Sequence, residues 1–152
     1  MATLSQTKFL KTLPDLVVSR LPEPLRGIKV HQPWNWLIQF HYGESSLHFE
    51  VSPVRYRSGW ELGFHCEAKD HNLNRYLLEG FRRHLLEIKD VLGPTVEAEM
   101  WDKGWTKIYE VYPNGALTEA YQVALATRLA DFIICLHPIY VDLRSEATKI
   151  YH

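Results

Sequence analysis

Apolar side chains recur at every second position between Trp34 and Ala68, the period of a half-buried strand. Trp34, Trp36, Ile38, Phe40 and Tyr42 predict one face of a first strand, with Asn35, Leu37, Gln39 and His41 on the other. After a turn at 43–46 the apolar set resumes at Leu47, Phe49 and Val51, against His48, Glu50 and Ser52. Beyond a second loop, Trp60, Leu62, Phe64, Cys66 and Ala68 repeat it against Glu61, Gly63, His65 and Glu67. A four-residue hairpin loop sets Tyr42 across from Leu47 and therefore His41 across from His48. Pairing Val51 with Leu62 then sets His48 across from His65.

Helical spacing frames this meander. Residues 4–21 predict a helix carrying Phe9, Leu10, Leu13, Leu16, Val17 and Leu21, with Pro14 as kink or restart and Pro22 and Pro24 ending it. A short extended piece, 28–31, follows, cut from the first strand by Gln32-Pro33. Asn72 or Asn74 is the expected N-cap of one helix running to Leu92, stopped by Gly93-Pro94. A second hairpin comprises 96–101, the turn Asp102-Lys103-Gly104 and 105–112, which pairs Glu99 with Lys107 and flanks the turn with Trp101 and Trp105. Thr118 caps a long last helix with a kink at Pro138. The order α-β-β-β-α-β-β-α predicts a single α+β domain over 1–152, with a five-stranded, mainly antiparallel sheet and helices mostly on one face.

Composition narrows the class without naming a role. At 152 residues, 46% hydrophobic and 23% charged, with a formal net charge of −1, the chain has ordinary globular proportions and no broad electrostatic footprint for nucleic acid. Cys66 and Cys135 lie in apolar patterns without metal-type spacing, so they read as reduced core thiols of a cytoplasmic protein. The N-terminal residues contain no run suited to a signal peptide or a membrane span, so no membrane partner is expected.

Three constellations carry chemistry. The first is a row of His41, His48 and His65 over adjacent strands, about 4.8 Å apart, with Glu50 and Glu67 nearby as further ligands or a general base for Zn²⁺ or Mn²⁺. The bland alternative is a solvated sheet face where His and Glu are ordinary residents, in which case no cofactor is needed. The second is Glu67-Ala68-Lys69 at a strand end. With an acidic residue on the preceding strand, this resembles the layout of restriction-endonuclease-like folds, in which carboxylates hold Mg²⁺ and the lysine activates water. Glu50 should face Gly63, however, about 13 Å along the ladder from Glu67, too far for a shared ion. The third is the loop containing Arg55, Tyr56, Arg57 and Trp60, whose mixture of cations and rings suits a nucleic-acid contact or a packed hairpin loop.

Residues 60–143 also resemble an uncharacterised prokaryotic domain found C-terminal to restriction-nuclease-like domains. The likeness lies in Trp60-Glu61-Leu62-Gly63, Asp90-Val91-Leu92-Gly93, Glu97 to Trp101 with Asp102-Lys103, and the last helix. It implies an accessory role in nucleic-acid defence. Element order is similar to the type III secretion chaperone-like fold, whose members dimerise and bind polypeptide. Five Trp and eight Tyr are more than one small core readily hides, and such residues favour interfaces. The expected function is a non-catalytic binding module that meets a protein partner, or its own copy as a homodimer, through an exposed sheet face or edge. The alternative is a metal-dependent hydrolase or nuclease using the His/Glu face.

Overall fold

The computed structural model describes residues 2–54 and 59–150. Arg55, Tyr56 and Arg57, the candidate contact residues of the first loop, lie outside the described residues. Among the described residues, six strands form one antiparallel sheet in the order β1-β2-β3-β4-β6-β5: β1 Lys29–Trp34, β2 Leu37–His41, β3 Leu47–Pro53, β4 Gly59–Cys66, β5 Glu97–Met100 and β6 Thr106–Pro113. The helices are α1 Gln6–Ser19, α2 His71–Arg83, α3 Leu85–Leu92 and α4 Glu119–Thr148.

The strand beyond the expected five is β1, the piece that Gln32-Pro33 was expected to interrupt. Pro33 is tolerated because β1 is an edge strand, where a missing N–H breaks no ladder bond. Trp34 pairs with Leu37, so Asn35 and Trp36 form a tight turn, and a register shift lies between His31 and Trp34. The first strand therefore begins three residues later than the alternation implied. Trp34 and Trp36 do not join the core but stack on each other outside it, 59% and 43% exposed.

Elsewhere the alternation is observed. Ile38 pairs with Val51 and Phe40 with Phe49, the expected register, and His48 faces His65, Glu50 faces Gly63 and Val51 faces Leu62. Leu47, Phe49, Val51, Trp60, Leu62, Phe64 and Cys66 are buried on one face. The helices cover that face: Phe9 of α1 stacks on Trp60 at 5.4 Å, and Phe64 meets Phe81 of α2 and Tyr140 of α4. Both cysteines are free, Cys66 fully within the core, where burial pushes its thiol pKa up to about 12. By length and composition α4 is also apolar enough to span a membrane; here it buries Leu125, Leu129, Phe132, Ile133 and Leu136 in the core.

Polar groups join the layers. Glu110, buried on the helix side of β6, receives Arg128 of α4 through Nε at 2.5 Å and Nη2 at 2.7 Å, and Thr95 Oγ1 at 3.0 Å. Arg128 also donates to the Leu92 carbonyl at the end of α3. Asp70, not Asn72 or Asn74, caps α2. Asn74 is instead fully buried: its Oδ1 accepts the Ala68 N–H, and its Nδ2 donates to the carbonyls of Ala68 and Gly104, each at 2.9 Å. The expected single helix breaks at His84 into α2 and α3, while α4 runs unbroken through Pro138.

Candidate metal centre

The face turned away from the helices is not the open platform that alternation suggests. His48 and His65 are 1% and 2% exposed, and Glu50 is buried beside them. Around Glu50 and His65 stand the hairpins at either end of the sheet: Trp34 and Trp36 from the end of β1 and its turn, and Trp101 and Trp105 from the β5–β6 turn. Together they wall a cleft of about 410 Å³ whose floor includes Gln39, Glu50, Ser52, Glu61, His65, Glu67 and Lys107. Trp101 and Trp105 flank their turn as expected, 5.4 Å apart, with Gly104 at φ +93° where a side chain would strike the His71 ring.

The two imidazoles, His65 on this floor and His48 paired with it on β3, are held from behind. His48 Nδ1 lies 2.8 Å from the Ser45 carbonyl, an acceptor only, so Nδ1 carries a proton. His65 Nε2 lies 2.7 Å from Glu61 Oε2 and donates to it; Lys107 Nζ grips the other oxygen of Glu61 at 2.6 Å. The two remaining nitrogens point inward. His48 Nε2 sits 3.2 Å from Glu50 Oε1 and 4.0 Å from Glu67 Oε1. His65 Nδ1 sits 3.0 Å from Glu67 Oε2 and 3.8 Å from Glu50 Oε2. One donor atom from each of the four residues lies within 4.8 Å of all the others.

Neutral imidazoles so anchored would aim two lone pairs at two carboxylates. Four electron-rich atoms stay together only around positive charge, supplied by protons or by a cation. Without a cation, the protons serve. Burial alone would push His65 down, but hydrogen bonds to Glu61 and Glu67 and the charges of Glu50 and Glu61 raise its pKa to about 9. Burial would raise Glu50, yet the His48 hydrogen bond and the charges of His65 and His48 hold it down to about 2. A cation fits as well. Zn²⁺ with ligands at about 2.0–2.1 Å in a tetrahedron needs donors about 3.3 Å apart, within the spread of separations here. The outer hydrogen bonds to Ser45 and Glu61 are the kind that fix tautomer and ring direction in histidine–metal sites.

No protein-family model, curated protein or solved structure matches the chain. The functional reading therefore rests on this geometry.

Of the five residues expected around an ion, His48, Glu50, His65 and Glu67 converge, and His41 does not. It holds the next rung by extension of the register, but its Nδ1 turns back to accept the Gly43 N–H at 3.1 Å. Glu50 and Glu67 meet at the His48–His65 pair, as the histidine row suggests and against the separate expectation that four rungs hold the two carboxylates too far apart to share an ion. Cα spacing misleads here because each carboxylate leans along its own strand toward the His48–His65 rung midway between them. Gly63, directly opposite Glu50, puts no side chain between Glu61 and His65 on this face, and Glu61 reaches across the gap. Glu99 pairs in register with Lys107 as expected, yet the lysine turns to Glu61 and Glu99 accepts the Tyr109 hydroxyl instead. Lys69 is exposed and does not line the cleft.

Proposed function

We propose that the protein is a non-catalytic, divalent-metal-binding module, with Zn²⁺ or Mn²⁺ held by His48, Glu50, His65 and Glu67, the last three of which line the floor of a tryptophan-walled cleft. The observation that carries this reading is the orientation of the two imidazoles. Each is tied by its outer nitrogen to an acceptor and aims its inner nitrogen at the same two carboxylates. Imidazole nitrogen favours Zn²⁺, and the carboxylates accept Mn²⁺ equally well. Four protein donors leave no position reserved for water, the pattern of an ion that orders a site rather than one that activates a nucleophile.

Elemental analysis after equilibration with Zn²⁺ and desalting tests the proposal. One ion per chain is expected, and loss of that ion in Glu67→Gln, a half-buried position where the fold should survive. A wild-type protein that retains no metal, or a Glu67→Gln and Glu50→Gln pair that retain it fully while folded by circular dichroism, contradicts it.

A further inference from the structure

We propose that the ligand of this cleft is a neutral oligosaccharide, its sugar rings stacked on the indoles of Trp34, Trp36, Trp101 and Trp105 and its hydroxyls on the polar floor. The inference rests on the reading above for the cation on the floor, and on the tryptophan walls for the stacking surface.

Trp34 and Trp36 stack with their rings nearly parallel, 6° apart with ring centroids at 6.5 Å, and Trp101, 40% exposed, packs against Trp105 on the other side. Leaving such large apolar surfaces in water is unfavourable by about 25 cal/mol per Å², and here they gather around one cleft instead of scattering. An indole face is apolar and electron-rich, and it attracts the slightly positive C–H bonds of a sugar ring.

The floor selects what may lie between them. Glu50, Glu61 and Glu67 bring three carboxylates; with a divalent ion bound, that ion and Lys107 together would balance them, so neither an anion nor a cation would find a complementary charge. This disfavours nucleic acid, whose phosphates require a basic groove. The same floor mixes donors and acceptors within reach of one another: Gln39 Nε2, 3.4 Å from Glu50; Ser52 Oγ, 3.1 Å from Glu50; Lys107 Nζ; and the carboxylate of Glu61. Vicinal hydroxyls, each both donor and acceptor, match such an array. At about 410 Å³ the concavity falls in the range of small-ligand sites, about 300–1,000 Å³. A protein partner would instead need roughly 800 Å² of surface on each side.

Tryptophan fluorescence of the Zn²⁺-equilibrated protein, titrated separately with cellohexaose, chitohexaose and mannohexaose to about 10 mM, tenfold above a Kd of about 1 mM, tests this. A saturable shift with at least one of the three is expected, weakened at least tenfold in Trp34→Ala and in Trp101→Ala. No response to any of them, or a response only to oligo-dT or tetramethylammonium, overturns the inference. Bound zinc measured on the same samples separates the two claims. Zinc without a saccharide response sinks the ligand class alone; a saccharide response without zinc sinks the metal reading and leaves the tryptophan walls as the binding element.

Discussion

His48 and His65 stand directly opposite each other on β3 and β4, ring centroids 5.6 Å apart, and are anchored from opposite directions, one by the Ser45 carbonyl and the other by Glu61. That opposition turns their free nitrogens toward a common point between Glu50 and Glu67. Two cationic imidazoles this close would repel, so the pair is tolerable only with the carboxylates beside it.

Metal binding should depend on pH. With the pKa of His65 at about 9, the ion must displace its proton at neutral pH. Zinc affinity is expected to rise about tenfold per pH unit up to about pH 9, as measured by competition with a chelating dye. A flat profile between pH 6 and 8 would show that His65 is not a ligand.

The metal-free protein should show the opposite trend in stability. His65 has a raised pKa, so its contribution is complete below its ordinary 6.5 and is lost as pH climbs through about 9. Glu50 has a lowered pKa, so its contribution is complete above 4.5 and is lost as pH falls through about 2. Urea unfolding in EDTA should therefore find the greatest stability between about pH 4.5 and 6.5, with a decline toward alkali that saturating Zn²⁺ removes.

Gly63→Ala should damage the site from beneath. An added Cβ would lie 2.4 Å from the Ile108 carbonyl and 2.6 Å from Tyr109 Cβ, so β4 and β6 must separate. A loss of about 1–3 kcal/mol is expected from overpacking, read by denaturant titration. Weaker zinc binding should accompany it, because Glu61 and Lys107 sit on the two strands forced apart.

Asn74→Ala should loosen the Trp101–Trp105 wall. Asn74 ties Ala68 to Gly104 through three hydrogen bonds from a fully buried position. Removing them strands buried backbone groups, at about 3 kcal/mol. Tryptophan emission should shift to the red at temperatures where the far-ultraviolet spectrum is still native.

Much of this sheet was legible in the chain. The alternation through Leu47–Pro53 and Gly59–Cys66, with loop length counted, was enough to place His48 against His65 and Glu99 against Lys107. The site was only half legible, because register locates Cα atoms while binding depends on where side chains lean. Glu50 and Glu67 meet over a rung that neither occupies, and His41, correctly placed in the row, turns away to the Gly43 backbone. The burial of the floor was invisible to periodicity. Trp34 and Trp36 fell in phase with the core set but belong to a turn and its edge strand, and a proline read as a break sits where an edge strand accepts one. Asn74 had the look of a cap, and nothing local distinguishes a capping asparagine from one that also reaches a loop thirty residues further along the chain.

Anomalous X-ray scattering from crystals grown with Zn²⁺ tests the centre most directly. A single strong peak is expected about 2.0–2.2 Å from His48 Nε2, His65 Nδ1 and one oxygen each of Glu50 and Glu67. Scattering confined to exposed histidines such as His31 or His71, with Glu50 and Glu67 still bound only to the imidazole rings, would contradict it.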